Sequence, residues 1–185
     1  HHYPGTCRGL TAAERRAREA DGRRPAWRLR VDGPPPPFVD LLKGEVAADI
    51  DDFVVARNDG TPAYHLVTVV DDDAMDVDLV VRGDDLLDST GRQLLVARLL
   101  GLGQSDHAHV PLVLGADGQR LAKRHGAVTL PDLAAVGTAP SDVLRLLATS
   151  LRLPGAAEAE RPADLLDGFD PALLPTGPWT PELVL

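Results

Sequence analysis

Lysine is nearly missing from this chain: of its 19 basic residues, only Lys43 and Lys123 are not arginine. Aromatic residues are also scarce, at 4%, so a core has to be assembled from Leu, Val and Ala, although hydrophobic residues reach 44%. One cysteine, Cys7, excludes an internal disulfide framework and fits a reducing cytoplasm. No apolar run approaches the roughly 18 residues that a membrane span needs. The opening His1-His2-Tyr3 has neither the apolar segment of a secretory signal nor a Met. Either the start is processed or this is the later part of a longer chain, and the protein is expected in the cytoplasm, without a membrane.

What is present is a 185-residue chain with a net charge of −9, long enough for one domain or a domain with a small appendage. An acidic total argues against generic nucleic-acid binding over a broad basic surface. The charge is uneven, however. Residues 1–30 hold eight arginines against Glu14, Glu19 and Asp21, leaving the remainder strongly acidic. Such a basic start suits either a phosphate backbone or a solvated helix with Glu–Arg pairs.

Thr11 followed by Glu14 predicts a capping box and a short helix ending near Asp21-Gly22. Trp27–Val31 alternates as a strand does, and the run Gly33-Pro34-Pro35-Pro36-Pro37 breaks any regular element. Short strands are expected at Phe38–Leu42 and Gly44–Ile50, then at Phe53–Arg57 leading into a tight Asn58-Asp59-Gly60 turn. Tyr64–Val70 suits a buried strand or a helix start, and Leu79–Val81 a buried strand. A helix over Ser89–Leu100, capped by Ser89 or Thr90, should stop at Gly101. Val110–Leu114 reads as a strand, Asp117-Gly118 as a turn, and Pro131–Val136 and Ser141–Leu151 as helices, the last capped by Ser141. Strands alternating with helices imply an α/β chain with a helical tail.

Four local patterns carry the chemistry. They are Arg57-Asn58-Asp59-Gly60 with Tyr64; Val69-Val70-Asp71-Asp72; Val81-Arg82-Gly83-Asp84-Asp85 with Ser89-Thr90 and Arg92-Gln93; and Arg120-Leu121-Ala122-Lys123-Arg124. In an arginine-biased chain, a lysine kept inside the last of these points to chemistry, because a mobile ammonium and a planar guanidinium are not interchangeable.

In order and spacing these strings resemble the catalytic half of the glutamyl-tRNA synthetases, a branch of the class I aminoacyl-tRNA synthetases. The segment Tyr3-Pro4-Gly5-Thr6-Cys7-Arg8 extends the likeness to essentially the whole chain. The nearer likeness is to the short glutamyl-Q tRNA(Asp) synthetase branch, because the sequence reaches its end in a proline-rich tail soon after Lys123.

The resemblance implies a partial Rossmann-like fold in three parts: a connecting, zinc-site-like subdomain (1–62), the second half of the catalytic domain (63–115), and a KMSKS-type loop with a helical segment (116–185). It implies a monomeric ligase that activates L-glutamate with ATP and Mg2+ and passes it to queuosine in tRNA(Asp). Tyr64 and Arg82 match the glutamate pocket. Lys123 matches the catalytic lysine, with Arg120, Leu121, Ala122 and Arg124 beside it on ATP. Ala122 stands where the family commonly has Ser, and Arg120 where it has Lys.

Tyr3 and Cys7 match the last two ligands of the family's Zn2+ site, whose Cys-x-Cys pair has no counterpart here. The phosphate-cradling HIGH-type motif and the Arg-x-Ser segment are also without counterparts, so this sequence is expected to be a C-terminal fragment, inactive alone. A truncated glutamyl-tRNA synthetase charging tRNA(Glu) and a non-catalytic RNA- or partner-binding module are the rival expectations.

Overall fold

The computed structural model describes residues 3–33, 35, 37–121 and 129–181. The chain divides into two compact units, 1–108 and 109–185.

The first unit opens with α1 (Ala12–Ala20). Thr11 Oγ1 accepts from the Glu14 amide while the Glu14 carboxylate accepts from the Thr11 amide, which is the capping box expected from sequence. None of its residues is buried. Two antiparallel ribbons follow: β1 (Trp27–Leu29) pairs with β4 (Phe53–Ala56), and β2 (Phe38–Asp40) pairs with β3 (Gly44–Val46). After β4 the chain turns at Gly60, whose φ of 89° suits glycine, and enters α2 (Tyr64–Ala74). Tyr64–Val70 is therefore helix.

Next come β5 (Leu79–Gly83), a 3₁₀ turn at Asp84–Leu86, and α3 (Leu87–Leu100). β6 (Asp106–Val110), within which the first unit gives way to the second after Ala108, pairs with β5. The sequence placed that strand at Val110–Leu114, a few residues too late. β5 is also less buried than its apolar residues suggested, since Leu79 and Val81 are 42% and 60% exposed. It belongs to a two-stranded sheet, so its side chains are not covered on both faces.

α3 begins two residues before Ser89 and ends, as its sequence indicates, at Gly101 with φ 69°. Its start is continuous with the 3₁₀ turn, so no hydroxyl caps it, and Thr90 is instead fully buried inside the helix. The core sets Phe53 of β4 against Val69 of α2 and Val96 and Ala97 of α3, with Leu29, Leu66 and Leu95 packed round them.

The second unit begins with irregular chain in which Val113 and Leu114 bridge to Trp179 and Arg120, respectively. α4 (Leu130–Ala135) is capped by Thr129, and α5 (Pro140–Ser150) follows. The Asp142 carboxylate takes the Ala139 amide at the start of α5, so Ser141 lies within the first turn and is not the cap. Ala148, Ala159 and Leu165 form a small separate core, with Leu144 and Leu153 against it. Among the described residues no helix is long and apolar enough to cross a membrane.

Gly91 sets a tight tolerance. A Cβ built there would lie 2.5 Å from the Ala48 Cβ and 3.3 Å from Ile50. Alanine would gain about 1 kcal/mol of helix propensity, but overpacking costs about 1–3 kcal/mol, and Ala48 has no flexible end to move aside. Gly91→Ala is therefore expected to lower stability in a urea titration, against the propensity scale.

Candidate functional site

Tyr64 is the first residue of α2, half exposed, with its ring 5.4 Å from that of His65 in an edge contact. His65 in turn meets Phe53 edge-on at 5.5 Å, which ties the start of α2 to the core. From β5, the Arg82 guanidinium donates to the Thr90 hydroxyl at 2.7 Å and to the Leu86 carbonyl at 3.4 Å. Thr90 is buried, so it fixes the direction of Arg82 from inside α3. Arg92, two residues on, donates to Asp51 at 3.0 Å.

His65 joins these elements. Its Nδ1 is buried without a hydrogen-bond partner. Its pKa lies below the ordinary 6.5, first because burial disfavours the imidazolium, then because the Arg92 and Arg82 guanidinium charges repel it. Tyr64 and Arg82, singled out separately in the sequence, thus border one neutral imidazole. Arg92 is already paired with Asp51, whereas the guanidinium fork of Arg82 is of the kind that matches a carboxylate in shape and charge.

Behind Tyr64 runs a short polar relay. Gln93, nearly buried, donates through Nε2 to the Thr68 hydroxyl at 2.7 Å, and Thr68 donates to the Tyr64 carbonyl at 3.0 Å. The relay holds the first turn of α2 against α3. His65, Thr68, Thr90 and Gln93 were not assigned these roles from sequence. The available signal was a polar residue at every third or fourth position of an otherwise apolar helix, which reads equally well as surface.

Tyr3 and Cys7 are brought together, but by a hydrogen bond: the Cys7 amide donates to the Tyr3 hydroxyl at 2.7 Å. The Cys7 thiol is exposed, and the Arg28 guanidinium lies 3.9 Å over the Tyr3 ring. Two donors, one already accepting an amide, do not make a tetrahedral zinc site. Among the described residues no group of three or more His, Cys, Asp or Glu could hold a metal.

In the second unit, Arg120 pairs with Leu114 and the Leu121 amide donates to the Val113 carbonyl at 2.8 Å, so Arg120 and Leu121 lie on a narrow ribbon closed at Gly118. Ala122, Lys123 and Arg124 lie outside the described residues.

Residues 1–158 match the family model of the class I tRNA synthetase catalytic domain of the E and Q type. The chain belongs to that family. A glutamyl-Q tRNA(Asp) synthetase of Nocardia farcinica (strain IFM 10152) is 55% identical over 177 residues, 96% of this chain and 56% of that protein. One from Symbiobacterium thermophilum (strain DSM 24528 / JCM 14929 / IAM 14863 / T) is 49% identical over 179 residues, 95% of this chain and 55% of its own length. The chain thus spans about half the length of the curated relatives it matches. Among solved structures, a glutamate tRNA ligase from Elizabethkingia meningosepticum CCUG26117, in complex with its amino acid, superposes with a TM-score of 0.76 at 19% identity. That match covers 97% of this chain and 41% of the ligase. The class I synthetase catalytic fold, an α/β fold, is the architecture these elements build.

The depressed His65 pKa has a pH signature. The unfolded state binds a proton near pH 6.5 while folded His65 stays neutral to lower pH, so stability is full above that range and falls as pH drops below it. His65→Gln is expected to flatten this fall in unfolding free energy below about pH 6.5. An unchanged slope would mean that His65 is protonated at no cost.

Proposed function

We propose that this chain is part of an enzyme that activates glutamate with ATP and transfers it to queuosine in the anticodon of tRNA(Asp). The observation that carries this reading is the 55% identity, over nearly the whole chain, to a protein of that name. The geometry round His65 supports it.

In this reading Arg82, aimed by Thr90, receives a substrate carboxylate, and the Tyr64 hydroxyl completes the pocket for the acidic amino acid. A carboxylate oxygen of glutamate attacks the α-phosphorus of ATP, and pyrophosphate leaves. Negative charge builds on the phosphates during that attack, and the Lys123 ammonium offsets it from a loop that also carries Arg120 and Arg124, with Leu121 and Ala122 lining the nucleotide. Mg2+ would enter with the phosphates of ATP, as is usual for that ion. The glutamyl group then passes from the adenylate to the queuosine base, and AMP is released. Reaction partners of this kind, ATP and a tRNA, belong to the cytoplasm.

The test is transfer of labelled glutamate by the full-length protein to tRNA(Asp), with and without queuosine. Label on the queuosine-bearing tRNA alone is expected. Lys123→Ala should lower kcat about 10²- to 10³-fold, whereas Arg82→Lys, which loses the fork, should act mainly by raising the KM for glutamate. Label on tRNA(Asp) without queuosine, or on tRNA(Glu), would overturn the assignment.

A further inference from the structure

The end of α5 breaks a local rule. The Leu153 amide donates to the Ala148 carbonyl and the Arg152 amide to the Thr149 carbonyl, both at 3.0 Å, which is the paired closure of a Schellman turn. Its pivot must be left-handed, and glycine is favoured there, as at Gly101 after α3. In α5 the pivot is Arg152, with φ 56°. The other described non-glycine residue with positive φ is Asp76, an aspartate, one of the residue types enriched in that conformation. An arginine there is held against its backbone preference, and strained positions of this sort cluster at functional sites.

Arg152 lines a cleft of about 440 Å³ within the second unit, a size in the range of small-ligand sites. Leu146, Thr149, Ser150, Pro178 and Trp179 line it too. Among the described residues no ion pair or side-chain hydrogen bond engages Arg152, which is exposed. Trp179, one of two tryptophans in a chain poor in aromatics, is fixed by its backbone: its amide donates to Leu112 and its carbonyl accepts from Leu114. The Ser150 hydroxyl donates to the Leu147 carbonyl at 2.7 Å, which leaves its oxygen to accept.

We infer that this cleft binds one unstacked nucleotide of single-stranded RNA, the base against Trp179 and the phosphate on Arg152. The inference rests on the reading above that the chain handles RNA. An uncompensated guanidinium in a protein of net charge −9 selects an anion. A tryptophan beside it adds a planar, sequence-tolerant stacking surface. Neighbouring hydroxyls supply hydrogen bonds to base or ribose. A duplex keeps its bases covered and cannot use the tryptophan.

The experiment uses the full chain with Trp27→Phe, which removes the exposed tryptophan and leaves Trp179 as the reporter. A five-nucleotide single-stranded RNA is expected to quench its fluorescence saturably. The same strand in a duplex should bind at least about fivefold more weakly, and inorganic phosphate should not quench. Arg152→Gly is expected to weaken binding at least about fivefold without lowering the melting temperature, because glycine suits the turn better. No quenching, equal affinity for the duplex, quenching by phosphate alone, or unchanged affinity in Arg152→Gly would each overturn the proposal. The readout involves no adenylate chemistry. Failure of glutamate transfer with this binding intact would count against the enzyme reading, and the reverse result against the cleft alone.

Discussion

Asp51 and Asp52, just ahead of β4, take partners from different parts of the first unit. Asp51 accepts from Arg92 of α3 and from the Tyr3 amide at the start of the chain. Asp52, almost wholly buried, accepts from Arg8 and from the Val31 amide, while its carbonyl takes Arg28. Burial opposes ionisation of Asp51, yet the Tyr3 amide and the Arg92 guanidinium outweigh it and hold the carboxyl below its usual range. The basic opening segment is therefore anchored to the β1–β4 ribbon and to α3 through two adjacent side chains. Removing Arg92 would cost more than its pair contributes, because the nearly buried Asp51 carboxylate would be left without that counter-charge.

The same anchoring orders the candidate site. Arg92 is directed toward Asp51, Arg82 toward Thr90, and both charges bear on His65. Asp51 meets the charge of Arg92 and the Thr90 hydroxyl fixes the direction of Arg82, so both guanidinium groups are held beside an imidazole that burial keeps from sharing their charge.

Much of the fold was legible in the sequence because its signals are local. Thr11 with Glu14, Gly60 and Gly101 act within a few residues of themselves, and each ended or began an element as expected. The errors arose where neighbours in space decide. Ser89 and Thr90 look like caps, but the preceding 3₁₀ turn runs straight into α3 and turns Thr90 inward to hold Arg82. Leu79 and Val81 look like core, but a two-stranded sheet leaves them uncovered. Of the candidate site, Tyr64 and Arg82 were singled out through resemblance alone. His65, Thr68 and Gln93 were missed because their roles exist only once α2 lies against α3.

The near-contact between Gly91 and Ala48 reaches beyond the stability of one variant. Two positions 43 residues apart share a clearance too small for a single additional methyl group. Evolution can enlarge one of them only by shrinking the other or by shifting the backbone. Among homologous chains, side-chain volumes at these two places should therefore vary in opposite directions. Such a correlation would register the helix and the preceding strand region as one inherited unit, independent of any catalytic demand.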